Sequence, residues 1–390
     1  MNILIIGGTG VISTAVTKEA LSRGYSITMI NRGHNLKVIP KGDVKVIISD
    51  KKNYKYLEKK LGNIVFDAVV DFIIYDKINL IESFNFYSKY AKQYIFISSC
   101  GVYDKRVKGI LNENSPKVLE GWGYSKNKWE CEVELCKLAK KKNINYTIVR
   151  PAITYDNTRI PYGIMPPYGY HWTLISRILH HKPIITWNNG EVYYNMMRVE
   201  DFAVGFVGLF GNIKAYNEAF NICGDETITY AQVLNILSNI IGERIITIDI
   251  PTIFYGKELG TKQGELIGRS YCSNNSNKKI KHVVPDFKQN ISIRDGLKMT
   301  YQSYIDNNYQ RGIDWEYDAD TDRIIKKWCK VNKFDTSQYN LKFIDYLGNA
   351  EFSDKIKYYM TFHKKRFDML IINKCISIKK RIINKVNSLF

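Results

Sequence analysis

The stretch Met1-Asn2-Ile3-Leu4-Ile5-Ile6-Gly7-Gly8-Thr9-Gly10 decides how the rest of the chain is read. Ile3 to Ile6 form an unbroken apolar run, the pattern of a strand buried on both faces of a parallel sheet. Three glycines within four residues then mark a tight turn, and a helical pattern follows over 13–23, ended by Gly24. Ligands of parallel sheets bind beyond the carboxyl ends of the strands, and the first turn commonly receives a pyrophosphate. Glycine lets the backbone approach closely there, while the next helix offers its free N–H groups to anionic oxygens. The spacing here is Gly7-x-x-Gly10-x-x-Ser13, and serine is small enough for close strand–helix packing. A purely structural turn is the alternative. The flanking strand and helix favour the cradle.

Working outward, 26–30, 44–48, 68–73, 94–98 and 146–150 read as strands, and 54–61, 80–90 and 124–140 as helices. That alternation predicts an α/β fold built on a doubly wound parallel sheet. The chain has 390 residues, enough for two or three domains. The expected division is a nucleotide-binding domain over 1–155, a substrate-binding region over 156–312 with segments returning to the sheet, and a helical extension over 313–390. Residues 155–171 are rich in Pro, Gly and Tyr, which is loop chemistry suited to a ligand wall.

Hydrophobic residues make up 45% of the chain and aromatics 13%, enough for a sizeable core. No run of eighteen apolar residues argues for a spanning helix, and no basic leader precedes the first strand. The seven cysteines are scattered without metal-binding spacing, so no metal is expected, and reduced thiols of a cytoplasmic protein are. The net charge of +19 would attract phosphates, nucleic acid or anionic membranes, unless it reflects overall lysine-rich composition. From Lys355 onward ten Lys or Arg face one acid, and apolar residues recur from Ile371 to Leu389 at helical spacing. A basic amphipathic helix is expected there, either lying on an anionic membrane or covering the catalytic region.

Two further features point to chemistry. The second strand ends at Asn31-Arg32-Gly33, where an acid would bind the two ribose hydroxyls of NAD and an arginine would suit a 2′-phosphate; this leans toward NADP over NAD. Asp50 ends the third strand and is placed for an adenine amino group. Thr9, Val11, Ile12, Phe72, Pro151 and Ile153 complete the expected cofactor lining. Tyr124 and Lys128 stand one helical turn apart, on one side of a helix. A nearby ammonium favours phenolate, making the tyrosine a better base. Ser99 lies upstream in Ser98-Ser99-Cys100-Gly101-Val102-Tyr103, beyond the fifth strand.

In Gly7-Gly8-Thr9-Gly10, Ser99 four residues before Tyr103, Tyr124-x-x-x-Lys128, Val149-Arg150-Pro151 and Val199-x-Asp201-x-Ala203, the chain resembles the extended or atypical short-chain dehydrogenase/reductases. The likeness over about 1–312 is to the NAD-dependent epimerase/dehydratase family in particular. It implies a Rossmann-type fold, a nucleotide-sugar substrate, a homodimer, and a triad of Ser99, Tyr124 and Lys128. Cys100-Gly101 replaces the Asp-Glu pair of sugar-nucleotide 4,6-dehydratases, which disfavours dehydration. Arg198 stands where 4-epimerases have a histidine and is expected, with His171, near the substrate. Ser98-Ser99-Cys100 looks similar to the turn of fucose-synthase-like enzymes, in which Cys100 and His171 would be acid/base groups. The leading expectation is an epimerase working by transient hydride transfer. A reductase or dehydrogenase is the alternative, and a non-catalytic RNA-binding or redox-sensing member the second; the intact Tyr/Lys pair argues against nucleic acid.

Overall fold

The computed structural model describes residues 1–118, 122–337, 339, 341 and 350–363. Its strands, in chain order, are β1 (Asn2–Ile6), β2 (Ser26–Asn31), β3 (Val44–Ile48), β4 (Ala68–Asp71), β5 (Gln93–Ile97), β6 (Ile110–Leu111), β7 (Asn145–Pro151), β8 (Ile153–Tyr155), β9 (Ile184–Thr186), β10 (Tyr193–Arg198), β11 (Glu218–Ile222), β12 (Thr227–Thr229), β13 (Thr247–Asp249) and β14 (Asn274–Asn275). Seven of them form one sheet in the order β11-β7-β5-β4-β1-β2-β3, every neighbouring pair parallel. The chain moves outward from β1 to β3, then crosses back to β4 on the other side of β1. That reversal opens a crevice above β1 and β4, where such sheets bind ligands.

Alternate residues of β1 feed two separate cores. Ile3 and Ile5 pack with α1 (Val11–Ser22) and the helix Val199–Val207. Leu4 and Ile6 pack with α2 (Tyr54–Leu61), α3 (Lys77–Tyr87) and α4 (Gly123–Lys142). Burying each such side chain contributes about 1.5–3 kcal/mol, so a strand apolar on both faces is held between two helical layers.

The expected boundaries shift where side chains cap the backbone. The first helix starts at Val11, because the Gly10 N–H donates to Ser13 Oγ at 2.8 Å. The fourth strand stops at Asp71, whose carboxylate accepts from the Ile73 N–H at 2.8 Å and turns the chain. α3 begins three residues early, since Asp76 caps the Asn79 N–H at 2.9 Å.

A second lobe carries three small sheets, β12-β10-β8, β13-β9 and β14-β6. Its core is aromatic, with Tyr162, Trp187, Tyr230 and Tyr255 in mutual contact. The helix Trp315–Asn332, capped by Asp314, packs on this lobe and against the helix Phe352–Phe362. Among the described residues no helix is long and apolar enough to cross a membrane. The expected basic helix falls largely on 364–390, outside the described residues.

Candidate active site

A cavity of about 1060 Å³ runs along the carboxyl ends of the strands and into the second lobe, larger than a single small-ligand pocket requires. Gly7 has φ +82° and a methyl group there would come within 2.7 Å of Ile73 Cγ2; at Gly8 it would overlap Met29. These two glycines are dictated by packing. Gly10 differs: its Cβ would meet only Ser13 Oγ at 3.4 Å, and its face lines the cavity. No acidic residue stands in the first turn of α1, leaving its positive end available to an anion. A glycine cradle, an open helix N-terminus and room for two ligands fit a dinucleotide.

Thr9, Val11, Ile12, Asn31, Arg32, Asp50, Phe72, Pro151 and Ile153 all line the cavity with Gly7 and Gly10. Asn31 is engaged within the protein, donating to Thr9 Oγ1 at 3.0 Å and accepting from the Gly33 N–H at 2.9 Å. It ties the first turn to the end of β2. Arg32 has no carboxylate within ion-pair distance among the described residues. Asp50 accepts from the Lys52 N–H at 2.8 Å. Beneath them, buried Asp71 pairs with Lys51 at 3.0 Å and accepts from Ser83 Oγ at 2.6 Å, holding the loop that carries Phe72 and Tyr75.

Ser99, Tyr124 and Lys128 meet on the same wall. Ser99 Oγ accepts from the Gly101 N–H at 2.9 Å. Burial pushes the Tyr124 phenol up to about 12, while a hydrogen bond with Ser99 and the charge of Arg159 pull it down. Lys128 lies over the Tyr124 ring and is held there by backbone carbonyls. Its Nζ donates to the carbonyls of Ile74 at 2.6 Å and Ile97 at 2.7 Å, and lies 5.9 Å from the Tyr124 ring centre. Burial lowers its pKa to about 8. Desolvation outweighs the lowering contributions of Ser99 and Arg159, and the tyrosine carries its proton at neutral pH.

A buried network sets α4 against the sheet. Arg150 at the end of β7 grips Glu132 of α4 through two bonds of 2.9 and 2.6 Å. Ser98 Oγ donates to the same carboxylate at 2.5 Å, and Arg150 also donates to Tyr103 Oη at 2.8 Å. The positions flanking Ser99 are thereby coupled to the helix of Tyr124. Glu132→Gln is expected to cost about 3–5 kcal/mol, because it leaves a buried guanidinium without its countercharge. A thermal midpoint unchanged from wild type would refute that coupling.

Three expectations need correction. Cys100 lines the cavity, but its Sγ donates to the Arg150 carbonyl at 3.1 Å and burial pushes the thiol far above its usual range, so it packs and does not transfer protons at neutral pH. His171 is buried away from the cavity. Its Nδ1 accepts from the Ile160 N–H at 2.8 Å, Nε2 faces the Pro166 carbonyl at 3.1 Å, and burial lowers its pKa to about 3. It staples the 155–171 loop. Arg198 is also fully buried, paired with Glu200 at 2.6 Å and lying against Tyr155, off the cavity lining. Asp201 of the same motif accepts from the Asn290 and Ile291 N–H groups at 3.0 and 2.9 Å, a structural role.

Lys105, Trp122, Arg159, Glu265 and Arg269, which the spacing did not single out, line the cavity together with Tyr194. They come from five separate segments. Only the aromatic 155–171 loop, which supplies Arg159 and Tyr168, carried a sequence signal.

Residues 3–223 match the model of the NAD dependent epimerase/dehydratase family. A curated relative, the chloroplast stem-loop binding protein of 41 kDa b of Arabidopsis thaliana, is 28% identical over 240 residues, 58% of this chain and 60% of its own length. The fold is similar to UDP-glucose 4-epimerase of Thermotoga maritima, solved with UDP-glucose (TM-score 0.63, 19% identity, covering 79% of this chain and 100% of that one). It is also similar to UDP-glucuronic acid 4-epimerase of Bacillus cereus, solved with UDP-glucuronic acid and NAD (TM-score 0.63, 18% identity, 78% and 99%). UDP-glucose 4-epimerase of Bifidobacterium longum, with NAD+ and UDP, is likewise similar (TM-score 0.65, 16% identity, 80% and 100%). With the family match extending over more than half of its length, and the sheet and crevice to go with it, this chain belongs to the NAD dependent epimerase/dehydratase family.

Proposed function

We propose that the protein is an NADP-dependent nucleotide-sugar epimerase using Ser99, Tyr124 and Lys128. The observation that carries this reading is their convergence on the wall of one cavity that also takes in the glycine cradle and the cations Lys105, Arg159 and Arg269. When bound, the nicotinamide cofactor supplies hydride acceptance and return. The chain's own groups handle protons and position. Ser99 Oγ, held by the Gly101 amide, offers its O–H to the substrate oxygen. Tyr124 exchanges a proton with that oxygen, and a cavity of about 1060 Å³ leaves room for the sugar to present its other face. Lys128, fixed by two carbonyls, braces the floor beside Tyr75.

The test is to incubate the protein with UDP-glucose, UDP-glucuronate or dTDP-glucose and follow the products by NMR. An epimer formed without net change in cofactor absorbance supports the reading; stoichiometric cofactor oxidation or reduction would instead make it a reductase or dehydrogenase. Arg32 supports NADP, since no carboxylate ends β2 and its guanidinium is unpaired among the described residues. Arg32→Ala is expected to weaken NADP binding about tenfold while leaving NAD within about twofold. Equal losses for both in a calorimetric titration would refute the 2′-phosphate contact.

A second reading, RNA binding, is favoured by the name of the chloroplast relative and by the net charge of +19. It requires stem-loop affinity that falls steeply with salt and is indifferent to Tyr124→Phe.

A further inference from the structure

One part of the cavity carries more positive charge than it neutralises. Lys105, Arg159 and Arg269 line it, with Glu265 as their carboxylate neighbour. Arg269 Nε donates to Glu265 Oε1 at 3.1 Å, whereas Arg159 donates to the Thr154 carbonyl at 3.0 Å. Lys105 Nζ donates to the Gly268 carbonyl at 2.8 Å and lies 4.7 Å from the centre of the Tyr194 ring. Among the described residues no carboxylate comes within ion-pair distance of Lys105.

Two consequences follow. Three cations against one anion call for a ligand of about two negative charges. Lys105 is half-buried, and its ammonium, held by a carbonyl and by the ring and hydroxyl of Tyr194 (Nζ to Oη 3.5 Å), has no counterion among the described residues to offset its desolvation. Burial lowers the Lys105 pKa to about 7; the positive charge of Arg269 adds to that, and the thiols of Cys100 and Cys272 oppose it. Glu265 is already engaged by Arg269, so it does not restore the balance.

We propose that Lys105 is a proton-linked anion receptor for the substrate: it takes up a proton as a phosphate-ester dianion enters the space lined by Lys105, Arg159 and Arg269. This rests on the reading of the cavity as a nucleotide-sugar site and adds to it a specificity residue with a defined pH behaviour. The shared chemistry is the dianionic phosphate ester, whether the diphosphate of a nucleotide sugar or a sugar 1-phosphate. Because the bound pKa is raised above the free one, binding is strongest below the free pKa and weakens as pH rises through the bound one.

The experiment is calorimetric titration of the dinucleotide-loaded protein with UDP-glucose and, separately, glucose 1-phosphate, at pH 8 in two buffers of different ionisation heat. Uptake of close to one proton is expected, with affinity falling about tenfold per pH unit above about pH 7. Lys105→Met should abolish the uptake and flatten the pH profile. Lys105→Arg, charged throughout, should hold affinity at high pH and take up no proton. Dinucleotide affinity should be unchanged in both. Uptake that persists in Lys105→Met, or its absence in wild type, overturns the proposal. Turnover of UDP-glucose without a Lys105-dependent proton would sink this proposal alone. Lys105-dependent uptake with glucose 1-phosphate only would keep it and remove the nucleotide from the proposed function. Binding of neither ligand overturns both.

Discussion

Tyr124→Phe is expected to lower kcat for the accepted nucleotide sugar by about 10²- to 10⁴-fold, the usual contribution of a positioned acid/base group. KM and dinucleotide affinity should stay within about threefold, because the change removes one oxygen and leaves the ring packed against Trp122, whose centroid is 4.8 Å away. The direction follows from geometry more than from acidity. With burial holding the free phenol at about 12, Tyr124 carries its proton at neutral pH, and its acidity must change on ligand binding for it to serve as a base. The rate of product formation measured chromatographically for both proteins checks this. A Phe variant with more than half of the wild-type kcat would remove Tyr124 from the chemistry and favour the RNA-binding reading.

Asp322→Asn is expected to cost about 3–5 kcal/mol and to loosen the helices after Asp314. Arg177 donates to Asp318 at 2.6 Å and to Asp322 at 2.9 Å, and Lys182 donates to the same two carboxylates at 3.0 and 2.5 Å. All four side chains are essentially out of water, and Tyr358 of the last described helix donates to Asp322. Among the described residues two cations and two anions balance here, and amidation leaves one of those anions neutral in a low-dielectric setting. Burial works against the charged form of Asp322, but Arg177 and Lys182 hold its carboxyl below the ordinary range. Its stabilising contribution is therefore present above the unfolded carboxylate pKa, near 4, and is lost as pH falls through the lower folded value. Limited proteolysis should then cut after Asp314 in the variant faster than in wild type, with dinucleotide affinity preserved. Equal cleavage rates and an equal thermal midpoint would show that the charge box does not hold the extension.

The same box accounts for part of what the sequence left open. Ten Lys or Arg from Lys355 onward suggested a membrane-facing or a domain-covering helix with equal force. The described portion, Phe352–Phe362, buries Tyr358 and Thr361 against the preceding helix, so this stretch covers the protein. Segment 364–390 lies outside the described residues.

Legibility followed distance along the chain. Ile3–Gly10, Ser99 and Tyr124-x-x-x-Lys128 could be read directly, because strand, turn and helix periodicities place such residues by local geometry. Every cofactor-side residue named from the sequence lies on the cavity wall for that reason. Local geometry could not supply the partners of a side chain. His171 and Arg198 look like site residues in the sequence, yet each is consumed by neighbours from its own lobe. Lys105 and Arg269 belong to no motif of the sequence, yet the meeting of distant segments puts both on the cavity wall. Nor does i,i+4 spacing decide what an ammonium touches: the carbonyls of Ile74 and Ile97 are 54 and 31 residues from Lys128. The sequence by itself determined the sheet, the crevice and the order of its motifs. Tertiary structure alone decided which charges are buried, which are already paired and which still need a ligand, because desolvation and pairing depend on contacts that chain spacing does not encode.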